Sequence, residues 1–143
     1  MLVDANILLF AVSRTSPFHG PANAWLTAAL NGGQRVGVPW LSILAFLRLS
    51  TNPRAYRRPF SGPQAAKRVR EWLAADVVWI PEPTSDHLDV LASLIETHHL
   101  TSDLMNDAHL AALAVEHGLT VVSADTDFAR FSEIRWENPL SSP

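Results

Sequence analysis

Cysteine is absent from the 143 residues, which excludes disulfides and thiolate metal ligation and leads us to expect a cytoplasmic protein. Lysine is nearly absent as well: Lys67 stands against ten arginines. No apolar run approaches the ~20 residues that cross a bilayer. The first residues carry Asp4 early and no basic leader, so neither a membrane span nor a secretory signal is expected. Acids are scarce in one half of the chain. Residues 1–70 hold nine Lys/Arg and Asp4 as their sole carboxylate, whereas residues 71–143 hold thirteen acids and two arginines. The net charge of −3 argues by itself against nucleic-acid binding. Its distribution predicts a basic surface for a polyanion beside an acidic region, unless the two halves interleave and pair.

The apolar content, 48%, suffices for one continuous core, and no linker or repeat divides residues 1–143, so a single domain is expected. Short apolar strands alternate with helices. MLVDAN reads as a buried strand, with the apolar run Ile7–Phe10 following Asp4. A helix is predicted over 16–30, closed by Gly32-Gly33. A strand follows over 35–39, then a helix over 40–50 that stops before Asn52-Pro53. Residues 52–62 are a loop, and 63–75 a helix. The strand 76–83 is ended by Pro81 and Pro83. Ser85 is the expected cap of a helix reaching His98, and Asp103 that of a helix closed by Gly118. LTVVSAD is the last clear strand, DFARF a short helical piece, and Ile134–Trp136 a final strand. This alternation predicts an α/β fold, one sheet with helices on both faces, in which ligands bind at the carboxyl ends of the strands.

Acids fall at those ends. Asp4 leaves the first strand; Asp125 leaves the last clear strand, and Asp127 follows two residues later. Asp103 and Asp107 open the preceding helix four residues apart, a spacing that lets both face one pocket. Crowded carboxylates repel and raise one another's pKa. A divalent cation removes the conflict, and hard oxygen ligands favour Mg²⁺ or Mn²⁺. Plainer roles compete: Asp103 as an N-cap, Asp127 as the cap of DFARF, Asn6 as a turn residue rather than a holder of water or phosphate. His98, His99, His109 and His117 lack the spacing of a helical zinc site and read as surface or helix-end residues. The five tryptophans read as core or interface.

VDAN at the start, FLRLSTNPR in the middle and NDAHLAALAVEHGLTVVSADTDFARF near the end resemble a PIN domain, and more narrowly the VapC-type toxins of bacterial toxin–antitoxin pairs. The resemblance spans nearly the whole chain. It implies a three-layer α/β/α domain with a central parallel sheet, usually dimeric. It also implies a Mg²⁺- or Mn²⁺-dependent endoribonuclease that cuts structured RNA (tRNA or rRNA) and is restrained by a cognate antitoxin on a separate chain. By position, Asp4, Asp107 and Asp125 match the family's catalytic, metal-holding acids, and Asp127 the neighbouring acid that sometimes shares the site. One position departs: where family members often place a Glu, before a segment like FLRLST, this chain has Ala45. Asp103, one turn before Asp107, is a candidate to compensate as a further metal ligand.

The chemistry so implied is metal-assisted phosphodiester hydrolysis. The tract from Arg48 to Arg70 holds seven Lys/Arg and no acid; Arg48, Arg54, Arg57, Arg58, Lys67 and Arg68 are the candidates to track an RNA backbone. Two enzyme rivals fit poorly. A haloacid-dehalogenase-type phosphatase needs a second Asp where Asn6 stands. A phospho-receiver domain needs a strand-end lysine, and Lys67 falls in a predicted helix. The competing reading from another class is a degenerate module that binds RNA or antitoxin without cutting; Ala45 favours it, and the retained aspartates oppose it.

Overall fold

The computed structural model describes residues 1–140. Its elements run β1 (Leu2–Val3), α1 (Ala5–Val12), α2 (His19–Leu30), β2 (Val36–Gly37), α3 (Trp40–Ser50), α4 (Gly62–Leu73), β3 (Val78–Trp79), α5 (His87–His98), α6 (Leu104–His117), β4 (Thr120–Val122), a 3-10 helix (Thr126–Arg130) and β5 (Arg135–Glu137). All strand pairs are parallel, in the order β3-β2-β1-β4-β5.

The period-two alternation of strands builds the layers. Leu2 and Val121 turn into one apolar cluster, with Leu94, Leu113 and Phe128 from the α5, α6 and 3-10 side. Val3 and Val122 turn into the other, with Ile7, Leu26, Phe46 and Trp72 from α1, α2, α3 and α4. The result is the expected three-layer sandwich with β1 at its centre. Gly37 lets β2 approach that centre: its amide donates to Met1 O at 2.8 Å. A Cβ there would lie 3.0 Å from that carbonyl and 2.6 Å from the Pro81 ring.

The segment after Asp4 differs from expectation. Ile7–Phe10 belong to helix α1, not to a buried strand. Asp4 caps the helix, its carboxylate accepting from the Ala5 amide at 2.7 Å. A short run that is apolar on every side has no period to separate strand from helix. Caps differ elsewhere too. Helix α5 starts at His87 rather than after Ser85, and neither Asp86 nor Asp103, at the cap positions of α5 and α6, makes a side-chain cap bond. Ser61 forms a full capping box with Gln64 at the start of α4.

Helix α5 is fastened to α6 by a polar chain. Thr84 donates its amide and hydroxyl to Glu116 Oε1, His87 Nδ1 lies 2.5 Å from Glu116 Oε2, and His87 Nε2 lies 3.0 Å from His109 Nδ1. His109 is therefore half-buried in a contact between helices, not a surface residue. The two oppositely charged halves of the chain interleave in the sheet, where β2 and β1 lie between β3 and β4, but their charges hardly pair. Among the described residues, one ion pair joins them, Arg68–Glu71 at 3.9 Å within α4.

Candidate active site at the strand ends

Strands β1 and β4 lie side by side, so the residues leaving their carboxyl ends meet. Asp4 is held there by three donors. Oδ1 accepts from the Ala5 amide, and Oδ2 accepts from Ser123 Oγ at 2.7 Å and Asn6 Nδ2 at 3.2 Å. Ser123, fully buried, accepts in turn from Asn6 Nδ2 and the Asp125 amide. Asn6 Oδ1 takes the Ala124 amide, so this side chain ties the two strand ends together rather than serving a turn. Trp136 Nε1 donates to Ser123 O from β5. Burial pushes the Asp4 carboxyl up, the Ser123 and Ala5 bonds work against it, and the charge of Asp125 adds to the rise.

Helix α6 brings Asp107 to the same place. Its close approach to the sheet follows from Ala108, Ala111, Ala112 and Ala114, all buried. Asp125 caps the 3-10 helix through the Asp127 amide at 2.8 Å. One carboxylate oxygen from each of Asp107, Asp125 and Asp127 lies within 4.8 Å of the others. Burial, then the charges of Asp125, Asp4 and Asp127, push the Asp107 carboxyl up to about 7, with Arg130 working in the opposite direction. A set of clustered, acceptor-only oxygens that disfavours its own ionisation fits a hard divalent cation.

A cavity of about 360 Å³ opens between α3 and α6, lined by Asp4, Ser42, Ala45, Arg48, Asn106 and Asp107 among others. Ala45 thus stands at the cavity, and nothing acidic replaces the missing Glu. Asp103 is exposed at the start of α6, outside both the cavity lining and the carboxylate group. Of the basic candidates, Arg48 lines the cavity. Arg54, Arg57, Arg58 and Lys67 are exposed. Arg68 lines a different cleft, with α1 and α2.

Four polar residues of this region are absent from the sequence reading: Ser42, which donates to Val3 O at 2.7 Å, Asn106, Ser123 and Arg130. Ser123 and Arg130 flank Asp125 and Asp127 in SADTDFAR, and that proximity was the available signal. Ser42 and Asn106 left none, because a helix hides which face it turns to a cavity.

The description "PIN domain" fits the family model that matches residues 1–134. The chain is 46% identical over 138 residues to ribonuclease VapC37 of Mycobacterium tuberculosis, covering 96% of each. It is 36% identical over 140 residues to ribonuclease VapC33 of the same species, covering 98% of each. Among solved structures, VapC20 of M. tuberculosis, described as a sarcin-ricin loop cleaving toxin, superposes with TM-score 0.67 at 19% identity, covering 94% of this chain and 98% of that one. VapBC-1 of nontypeable Haemophilus influenzae gives 0.69 at 12% identity, covering 98% of each.

Proposed function

Because the chain belongs to the PIN domain family, among its VapC ribonucleases, and is by that kinship an endoribonuclease toxin, we propose that it hydrolyses structured RNA, tRNA or rRNA, with Mg²⁺ or Mn²⁺ held by Asp4, Asp107 and Asp125. The observation that carries the reading is the group of Asp107, Asp125 and Asp127 oxygens beside the end of β4, with Asp4 joining Asp107 in the lining of the cavity that Arg48 also lines. When bound, the cation supplies Lewis-acid polarisation of the scissile phosphate and acidifies the attacking water. The chain's own residues do the rest. Ser123 and Asn6 fix the Asp4 carboxylate by filling Oδ2, which leaves Oδ1 a lone pair for a ligand. Asp107 gives up its proton when a cation enters. Asp127 stands at the rim, its side chain 46% exposed.

The exposed basic loop, Arg54, Arg57 and Arg58, extends from the end of α3 and suits a phosphate backbone. Lys67 belongs to the same basic surface. Arg68, in its separate cleft and beside Glu71, contributes less directly. The cognate antitoxin is a separate chain; Trp40 and Leu44, exposed on the turns of α3 that precede Arg48, offer an apolar rim for one of its helices. A homodimer and a cytoplasmic location, where tRNA and rRNA reside, belong to the same reading. No helix among the described residues is long and apolar enough to cross a membrane.

Total tRNA and ribosomal RNA incubated with antitoxin-free protein should be cut with Mg²⁺ or Mn²⁺ and left whole in EDTA or with Asp125→Asn. Intact RNA under every condition, from folded protein, would sink the reading in favour of a module that only binds.

A further inference from the structure

Arg130 is held against the acidic group by two bonds. Its Nη2 donates to Asp127 Oδ1 at 3.2 Å and its Nε to Asp127 O at 3.1 Å. The guanidinium therefore sits beside three acids whose oxygens lie within 4.8 Å of one another. Its side chain is 36% exposed. A guanidinium carries five N–H donors in a fixed fork, and the two bonds to Asp127 leave three for a ligand. An exposed pair three residues apart adds little to stability, so the fold gains little from this arrangement. A site built of carboxylates repels the phosphates it must receive, and a fork-shaped cation at its edge offsets that repulsion while matching phosphate geometry.

We propose that Arg130 is an RNA-binding residue of the active site: its free donors take a non-bridging oxygen of a backbone phosphate at the rim of the acidic cluster, and Asp127 serves chiefly as the anchor that aims it. This rests on the nuclease reading and deepens it. Arg48 lines the cavity from α3 and Arg130 stands beside the acids beyond β4, so two guanidinium groups from different elements border the acidic site.

The test compares parent, Arg130→Gln, Arg130→Lys and, as a remote exposed control, Arg14→Gln. Binding of a fluorescent RNA oligonucleotide is followed by anisotropy with Ca²⁺ in place of Mg²⁺ over a salt series, cleavage with Mg²⁺, and Mn²⁺ affinity by calorimetry. Arg130→Gln should weaken RNA binding about tenfold and reduce the slope of log affinity against log salt by about 0.7, the loss of one phosphate contact on a single strand. Its kcat/KM should fall at least as far, while Mn²⁺ affinity stays within about twofold of the parent. Arg130→Lys should restore the salt slope and only part of the rate, because a point charge lacks the fork. A parental salt slope in Arg130→Gln, or a loss of RNA binding that merely follows a loss of Mn²⁺ affinity, overturns the proposal. A parent that shows the Arg130-dependent slope and cuts nothing refutes the nuclease reading alone. A parent that binds no RNA refutes both.

Discussion

Ser123, fully buried, donates to Asp4 and accepts from Asn6 and the Asp125 amide, so removing its hydroxyl leaves the Asp125 amide without this partner and takes one bond each from Asp4 and Asn6. Ser123→Ala should cost about 1–3 kcal/mol, read as a lower urea midpoint with the slope unchanged; a variant as stable as the parent would show that the network is incidental. Asp107 makes a second prediction. With a native pKa of about 7 against 3.8 when exposed, the folded protein binds more protons than the unfolded chain between those values. Stability then falls as pH rises through 7. In EDTA, the Tm of the parent relative to Asp107→Asn should fall between about pH 4 and 7 and level off above, and saturating Mn²⁺ should reduce the difference. A relative Tm that holds or rises over that window in EDTA would contradict the crowding of carboxylates. These acids were legible from the sequence because strand ends and an isolated Asp4 mark them. Ser123 was marked only by its place beside Asp125, since its bonds to Asp4 and Asn6 exist only once the strands meet.

At the scale of elements, the polar chain from Thr84 through Glu116 and His87 to His109 joins α5 to α6, and its dependence on pH has the opposite sign. Burial pushes Glu116 up, but the bonds from Thr84 and His87 outweigh it and leave the carboxyl below its ordinary value. Burial, reinforced by His87, lowers His109. The unfolded chain takes up the His109 proton first as pH falls below 6.5, then the Glu116 proton below 4.5, so this stabilisation is present at neutral pH and lost on acidification. Glu116→Gln should lower Tm at pH 7 and lower it less at about pH 4, below the ordinary carboxyl value, where the parent is losing the contribution. An equal drop at both pH values would assign Glu116 a packing role instead. Helices α3, α4 and α6 were readable because Pro, Gly or a capping serine punctuates them. Helix α1 was not: ILLF has no polar residue to phase it, and Asp4, read as the end of a strand, is also the cap of a helix.

The whole molecule interleaves the two halves in its sheet yet hardly pairs their charges. Its basic tract stays exposed on α3, the following loop and α4, its acids gather at the ends of β1 and β4 and on α6, and one ion pair crosses between the halves among the described residues. The charge imbalance by half thus persists in the fold as an exposed basic tract, the surface proposed here to meet a polyanion. It did not separate the arginine that lines the cavity, Arg48, from Arg68 in its other cleft, because they stand on different helices, α3 and α4, whose packing a charge count does not carry. The central claim is that the strand-end carboxylates exist to hold a divalent cation. Crystals grown with Mn²⁺, measured near the manganese absorption edge, test it directly. An anomalous peak is expected about 2.2 Å from carboxylate oxygens of Asp4, Asp107 and Asp125, absent in Asp107→Asn. A map with no peak there, or a peak seated elsewhere while RNA is still cut, would contradict it.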